Sequence, residues 1–446
     1  MPTFANLPGT SVEITDRGLQ ITRPPSGPKI AILGFTTSES DAAEAYVPFQ
    51  VSSTSFTSAY ASFKNEDGSA SELCKALGEC YSAGGRNIEL MNILPDASGS
   101  HTNDDDRYGY LNKAYEVLYN YNADIIVPCN APLDSTDLTG PRSFGYQLAD
   151  FCYKATKNNN TCIGVVGVKG AVDDDTDTPT IQEIEDWVKR LEIYENCSEY
   201  DGTTDPGDNG VPDNYAFVAT QDGYMPANFA GGDIVDAKGN KVDIGSYISV
   251  VAANLRAVNA ASADDYPTVG FYNTDGVASY AGLVSSLPSK SSTTNKVLQG
   301  VALSQGVSLG QADRLAGKRF VTIIDKPKGY VVASGMTGAY NINQYYRSDF
   351  TRLTTVRIMQ DAVNLTRNVS EQFIGEPNSA PQRNALSTAV ENGLKAMQEN
   401  GALRRFDFNI YSTPDQQVLG QATIELILVP AFELQQITVY VSLAAE

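Results

Sequence analysis

The chain has 446 residues and a formal net charge of −21 at pH 7, from 32 Lys and Arg against 53 Asp and Glu. Hydrophobic residues make up 42%, which excludes a disordered chain and is enough for two or three domains with sizeable cores. No run of about 18 apolar residues occurs, so no membrane-spanning helix is expected, and Met1-Pro2-Thr3-Phe4 lacks the basic-then-apolar order of a secretory signal.

Residues 1–28 read as an extended arm. Pro2, Pro8-Gly9, Pro24-Pro25 and Gly27-Pro28 punctuate them, and Val12 and Ile14 alternate with polar residues at the period of a strand. From Lys29 strands and helices alternate. Strands are expected at Lys29–Gly34, Asn87–Leu94, Asp124–Val127, Thr161–Val168, Tyr215–Thr220 and Lys318–Asp325. Helices are expected at Ser71–Ala83, Tyr108–Tyr121, Tyr146–Lys157, Ile181–Glu195 and Gly245–Ala260. This order predicts an α/β fold with a central, largely parallel sheet flanked by helices.

The last hundred residues change character and predict a C-terminal α+β domain. Asp349–Phe373 is a long helix with Leu353, Val356, Met359 and Val363 as a stripe. Pro381–Asn400 is a second, with Leu386, Val390, Leu394 and Met397 on one face and Asn400-Gly401 as its stop. Strands follow at Arg405–Tyr411, Thr423–Val429 and Gln436–Leu443. In the last, Ile437, Val439, Val441 and Leu443 alternate with polar residues. The expected division is an arm over 1–28, an α/β body over 29–325 with an outward-facing acidic region at about 95–300, an α+β domain over 326–435, and a terminal arm strand over 436–446.

Charge follows this division. Residues 1–300 hold 19 Lys and Arg against 40 Asp and Glu, whereas residues 301–446 hold 13 of each. The acidic part repels nucleic acid, and the neutral part suits packing against other protein surfaces. The six cysteines, Cys74, Cys80, Cys129, Cys152, Cys162 and Cys197, form no C-x-x-C pair and read as free thiols.

Motifs for catalysis are sparse. The one histidine, His101, sits in a polar stretch, Gly99–Asn103, and no G-x-S-x-G elbow supplies a nucleophile. Asp173, Asp175 and Asp177 have the odd spacing of a calcium loop, but Thr178 stands where glycine is needed and Ile184 where a bidentate Glu belongs. Gly164, Gly167 and Gly170 follow an apolar strand with spacing G-x-x-G-x-x-G, not that of a dinucleotide fingerprint. The reading is of a protein that is not an enzyme and takes no cofactor or metal. The 24 tyrosines, among them Tyr115, Tyr119, Tyr121 and Tyr345-Tyr346, suit either interfaces or ordinary half-buried packing, and packing is the simpler account.

Several stretches together resemble contractile phage tail sheath proteins, relatives of R-type tailocin and type VI secretion sheaths. Pro8–Asp16 resembles the family's PGVYVEE-type opening, with Thr10-Ser11 where the family has Val-Tyr. Pro28–Thr36 resembles the first strand of the sheath α/β domain. Phe350–Phe373 followed by Gly375-Glu376-Pro377-Asn378 resembles the long helix and its EPN turn. Ile424–Ala431 with Gln436–Leu443 resembles the closing segment. The resemblance implies a virion structural subunit, assembled in the host bacterial cytoplasm. Its hexameric rings would stack helically around a tail tube and contract from a metastable state, beside baseplate and tail terminator proteins, with no nucleic acid and no membrane insertion. It also implies that terminal arms lace neighbours together. Val12, Ile14, Ile437, Val439, Val441 and Leu443 are then arm-strand residues, joining a sheet lined by Phe406, Phe408, Ile424, Leu426 and Leu428. Arg383, Glu391, Lys395 and Glu399 are candidate tube contacts. The alternatives are a soluble α/β hydrolase and the sheath of a non-phage injection system.

Overall fold

A computed structural model describes residues 27–51, 56–95, 103–135, 138, 143–158, 160–172, 178–196, 244–257, 272–339 and 349–434. Residues 1–26 of the N-terminal arm, the arm strand over 436–446, His101, Asp173, Asp175, Asp177, Cys197, the expected strand at Tyr215–Thr220 and Tyr345-Tyr346 lie outside the described residues. The chain divides into two compact units, Pro28–Gln360 with residues 432–434, and Asp361–Ala431.

The larger unit begins with β1 (Ile30–Gly34), β2 (Phe49–Val51), α1 (Phe56–Ser62), α2 (Glu72–Ser82), β3 (Ile88–Asn92), α3 (Asp104–Leu118) and β4 (Ile125–Pro128). Next come α4 (Phe144–Lys157), β5 (Ile163–Gly167), α5 (Ile181–Asn196), β6 (Ile248–Val251), β7 (Leu255–Ala257), β8 (Tyr272–Thr274) and α6 (Val277–Ser286). Then follow β9 (Val301–Leu303), α7 (Leu309–Gly317), β10 (Phe320–Val321), β11 (Ile323–Lys326), β12 (Gly329–Val332) and α8 (Leu353–Glu371). The unit division falls within α8.

Seven strands form one sheet in the order β10-β6-β5-β4-β1-β3-β2. Every pairing in it is parallel except that of β2 with β3. β1, β3, β4, β5 and β6 are buried at every residue, as their mostly apolar runs require when helices cover both faces. The two-residue period of β1 separates those faces. Ala31 and Leu33 join a cluster with side chains of α3, α4 and α5, while Ile30 and Ile32 join one with α1, α2 and α6. The expected α/β class with a largely parallel, helix-flanked sheet is therefore what the chain adopts. The stretch of about 95–300, expected to carry the acidic exterior, also supplies β4, β5 and β6 to this core.

Local chemistry sets the helix starts. Ser71 caps α2 by accepting from the Cys74 amide. Asn103 caps α3 by accepting from the Asp105 amide, and Asp104, Asp105 and Asp106 fill the first turn, where carboxylates favour the positive helix end. α2 and α6 approach closely because Gly282 has no side chain; a Cβ there would collide with the Cys80 carbonyl oxygen. Tyr115 stacks on Phe151 at 4.8 Å and Tyr119 meets the same ring edge-on at 5.0 Å, so this pair is core packing. Cys74, Cys80, Cys129, Cys152 and Cys162 are free thiols.

Two expectations need correction. Gly245–Ala260 is not a helix. A 3-10 turn at Ile244–Tyr247 leads into β6, and β7 follows. Ile248, Val250 and Val251 are β-branched and fully enclosed, an environment that selects an extended chain. Lys318–Asp325 is not one strand either. β10 pairs parallel with β6, whereas β11 pairs antiparallel with β12, so Thr322 marks a change of sheet.

The smaller unit holds the second half of α8, α9 (Ala380–Glu399), β13 (Leu403–Tyr411), the short α10 (Pro414–Val418) and β14 (Thr423–Pro430). Leu386, Val390, Leu394 and Met397 are the buried stripe of α9, which packs along β13. Gly401, at φ 81°, ends that helix in a conformation that L side chains adopt at a cost.

Candidate assembly surface

Two places could carry function: the carboxyl ends of the parallel strands in the larger unit, and the two-stranded sheet of the smaller one. In open α/β sheets ligands bind outside the strand carboxyl ends, where the strand order reverses. Here the order reverses between β1 and β4, because β3 lies on one side of β1 and β4 on the other.

At that switch point two of the chain's own charges pair. Arg107 of α3, 5% exposed, donates through both terminal nitrogens to the two oxygens of Glu72 on α2, each at 3.0 Å. It also donates to the Cys129 carbonyl at 3.1 Å, and its guanidinium lies 4.1 Å from the Phe35 ring. Glu72 accepts further from the Phe35 amide at 3.2 Å and from Asn130 at 2.6 Å. Phe35 follows β1, and Cys129 and Asn130 follow β4. A bidentate pair with its lone pairs satisfied locks both strand ends to both helices.

The lock forms part of the wall of a cavity of about 400 Å³, lined by Glu72 and Arg107 and also by Glu79, Asn254, Tyr272 and Asp275. Glu79 accepts from the hydroxyls of Tyr272 at 2.9 Å, Thr274 at 3.1 Å and Ser279 at 3.3 Å. Burial, with Asp275 nearby as the second cause, pushes its carboxyl up to about 7. Burial also pushes Asp275 up to about 6. Glu79 thus ties α2 to β8 and α6, with both of its oxygens accepting hydrogen bonds.

The hairpin is built differently. Phe406 faces Leu428, Phe408 faces Leu426 and Ile410 faces Ile424. The five residues expected to line an acceptor sheet, Phe406, Phe408, Ile424, Leu426 and Leu428, therefore share one face with Ile410, and all are half-buried. The Phe406 and Phe408 rings lie 6.4 Å apart. Asp407, Asn409, Tyr411, Glu425 and Ile427 occupy the opposite, exposed face. β13 and β14 pair only with each other among the described residues, so each presents a long edge of backbone donors and acceptors.

The four candidate tube-contact residues do not form one free patch. Arg383 donates to the Asn378 carbonyl at 3.1 Å and to its side-chain oxygen at 2.8 Å. Asn378 in turn donates to the Ser412 hydroxyl at 3.1 Å and the Gln421 carbonyl at 2.9 Å. Arg383 thus steadies the turn that latches onto the hairpin tip. Lys395 pairs with Glu391 one turn away at 2.7 Å, and Glu399 is exposed near the end of α9. The Asn378 latch was not foreseen; the only sequence sign of it is the Pro377-Asn378 turn.

No family model and no curated protein sequence matches the chain. Solved structures do. A chain of the anti-feeding prophage baseplate superposes with a TM-score of 0.60 at 13% identity, covering 98% of this chain and 99% of that one. A sheath tail protein from Desulfitobacterium hafniense gives 0.53 at 10% identity, covering 95% and 100%. One from Listeria innocua gives 0.53 at 10% identity, covering 92% and 97%.

This chain has the fold of a tail sheath protein. The sheath fold accounts for the pairing of an α/β body with a hairpin-and-helix unit in a single chain, since the match runs nearly end to end in both directions.

Proposed function

We propose that this chain is the structural subunit of a contractile tail sheath. Hexameric rings of it stack helically around a tail tube and contract from a metastable extended state to drive the tube through the host envelope. The observation that carries this reading is the two-way coverage of sheath tail proteins combined with a hairpin whose two strands pair only with each other among the described residues. An arm strand from a neighbour, Val12 and Ile14 or Ile437, Val439, Val441 and Leu443, would satisfy such an edge while its alternating side chains set register. Burying four such side chains contributes about 6–12 kcal/mol gross, part of which ordering the arm offsets. Tube contact along Arg383, Glu391, Lys395 and Glu399 belongs to the same reading, as do baseplate and tail terminator partners and a place in the virion.

A second reading, a subunit of a prophage-encoded particle other than an infectious phage, draws support from the anti-feeding prophage match. Negative-stain electron microscopy of the purified chain, alone and with tube subunits, tests the assembly reading. Hollow striated cylinders are expected. Compact monomers under every condition, tube included, would remove it.

A further inference from the structure

The smaller unit carries contrasting surfaces at its two ends. At the hairpin tip, Val418 is 87% exposed and Leu419 69%, and Ile374 in the α8–α9 turn is 70% exposed. The Asn378 latch holds that turn against the tip. α10 is itself fixed by a reciprocal capping box between Thr413 and Gln416. Three aliphatic side chains are therefore displayed on a rigid support, which sets them apart from isolated surface hydrophobics. Around them stand Glu371, Glu376 and Asp415, all exposed. Residues 371–379 and 412–422 contain no Lys or Arg, and Arg383, bonded to Asn378, is the cation that reaches this turn.

The base of the hairpin has the other sign. Arg404 and Arg405 are exposed and make no ion pair among the described residues. Glu399 shares that end, and Asp407 stands two residues along β13 from Arg405; Arg404 and Arg405 are the cations there. Register places Leu403 opposite Pro430 at the base and Tyr411 opposite Thr423 at the tip. Eight residues of strand separate the ends by about 26 Å, so the acidic tip cannot reach the arginines of its own chain.

We propose that the acidic apolar tip of one copy docks on the Arg404–Arg405 base of a neighbouring copy. The contact is head-to-tail, and a heterologous contact of this kind closes into rings or continues as helices. It seats Val418, Leu419 and Ile374 against the neighbour and sets Glu376 and Asp415 beside guanidinium groups that bind carboxylates in bidentate fashion. The contact rests on the assembly reading above, and it is separate from strand addition because it uses the ends of the hairpin and not its edges.

Charge reversal tests it on the full-length chain. One variant combines Glu376→Arg with Asp415→Arg; another combines Arg404→Glu with Arg405→Glu. Far-ultraviolet circular dichroism and melting confirm that both fold. Either variant alone should raise the concentration at which cylinders form by ~tenfold or more. A one-to-one mixture of the two should restore assembly, because each supplies the sign the other lacks. Normal assembly of both variants alone would overturn the contact while leaving the sheath reading intact. So would loss in the tip variant with normal assembly of the base variant, which would assign the tip to a different, basic partner. Absence of cylinders from the unaltered chain would overturn both.

Discussion

Arg107 and Glu72 form a two-pronged ion pair, 3.0 Å at each contact, that joins α3 to α2 across the point where the strand order reverses. The pair lines the cavity at that point. Removing one partner leaves the other desolvated and short of donors. Arg107→Met should lower unfolding free energy by about 3–5 kcal/mol, read from urea denaturation midpoints. A loss below about 1 kcal/mol would mean that the lock is a solvent-screened surface pair.

Glu79 and Asp275 make stability depend on pH. Burial raises the carboxyls of both, to about 7 and about 6, above the ordinary range that they regain on unfolding. The folded chain therefore binds these protons more tightly than the unfolded one. The stabilisation is fully present below the unfolded values and is lost as pH rises through 6 and 7. The melting temperature should fall between pH 5 and pH 8, and Glu79→Gln should make that fall shallower. An equal slope in the variant would show that Glu79 does not contribute.

Gly282 lets α6 lie against α2. Since the colliding atom is the Cys80 carbonyl oxygen, and backbone cannot swing aside, Gly282→Ala should destabilise the body by about 1–3 kcal/mol. Calorimetric melting reads this directly. A neutral or stabilising result would mean that the two helices separate freely.

The positive residues of α9 are separable by experiment. Arg383→Glu breaks the Asn378 latch as well as changing charge, whereas Lys395→Glu loses only an exposed pair with Glu391, which costs about 0.5 kcal/mol or less. If α9 touches the tube, Lys395→Glu should weaken co-assembly with tube subunits and leave the melting temperature nearly unchanged. Unchanged co-sedimentation with tubes would remove α9 from that contact.

Much of the fold was legible because buried parallel strands are near-continuous apolar runs, as in Ile30–Gly34 and Ile163–Gly167. α6 was not foreseen. Val277–Ser286 shows no stripe because nine of its ten residues are buried, and a helix enclosed on nearly every side has no polar face to reveal its period. Gly245–Ala260 reads as a helix in sequence because small and apolar residues there fit either period until burial decides. In the smaller unit the strand expected at Arg405–Tyr411 is present within β13. The long-range bonds from Arg383 through Asn378 to Ser412 had no sequence pattern, since polar turn residues carry no period.

The central claim is a sheath whose subunits are joined by terminal strands added to the hairpin edges. The most direct measurement compares the full chain with one lacking residues 436–446, each purified and imaged by negative-stain electron microscopy alone and with tube subunits. The account predicts hollow striated cylinders from the full chain and only dispersed, folded subunits from the truncated one. Cylinders of unchanged length and number from the truncated chain would contradict it.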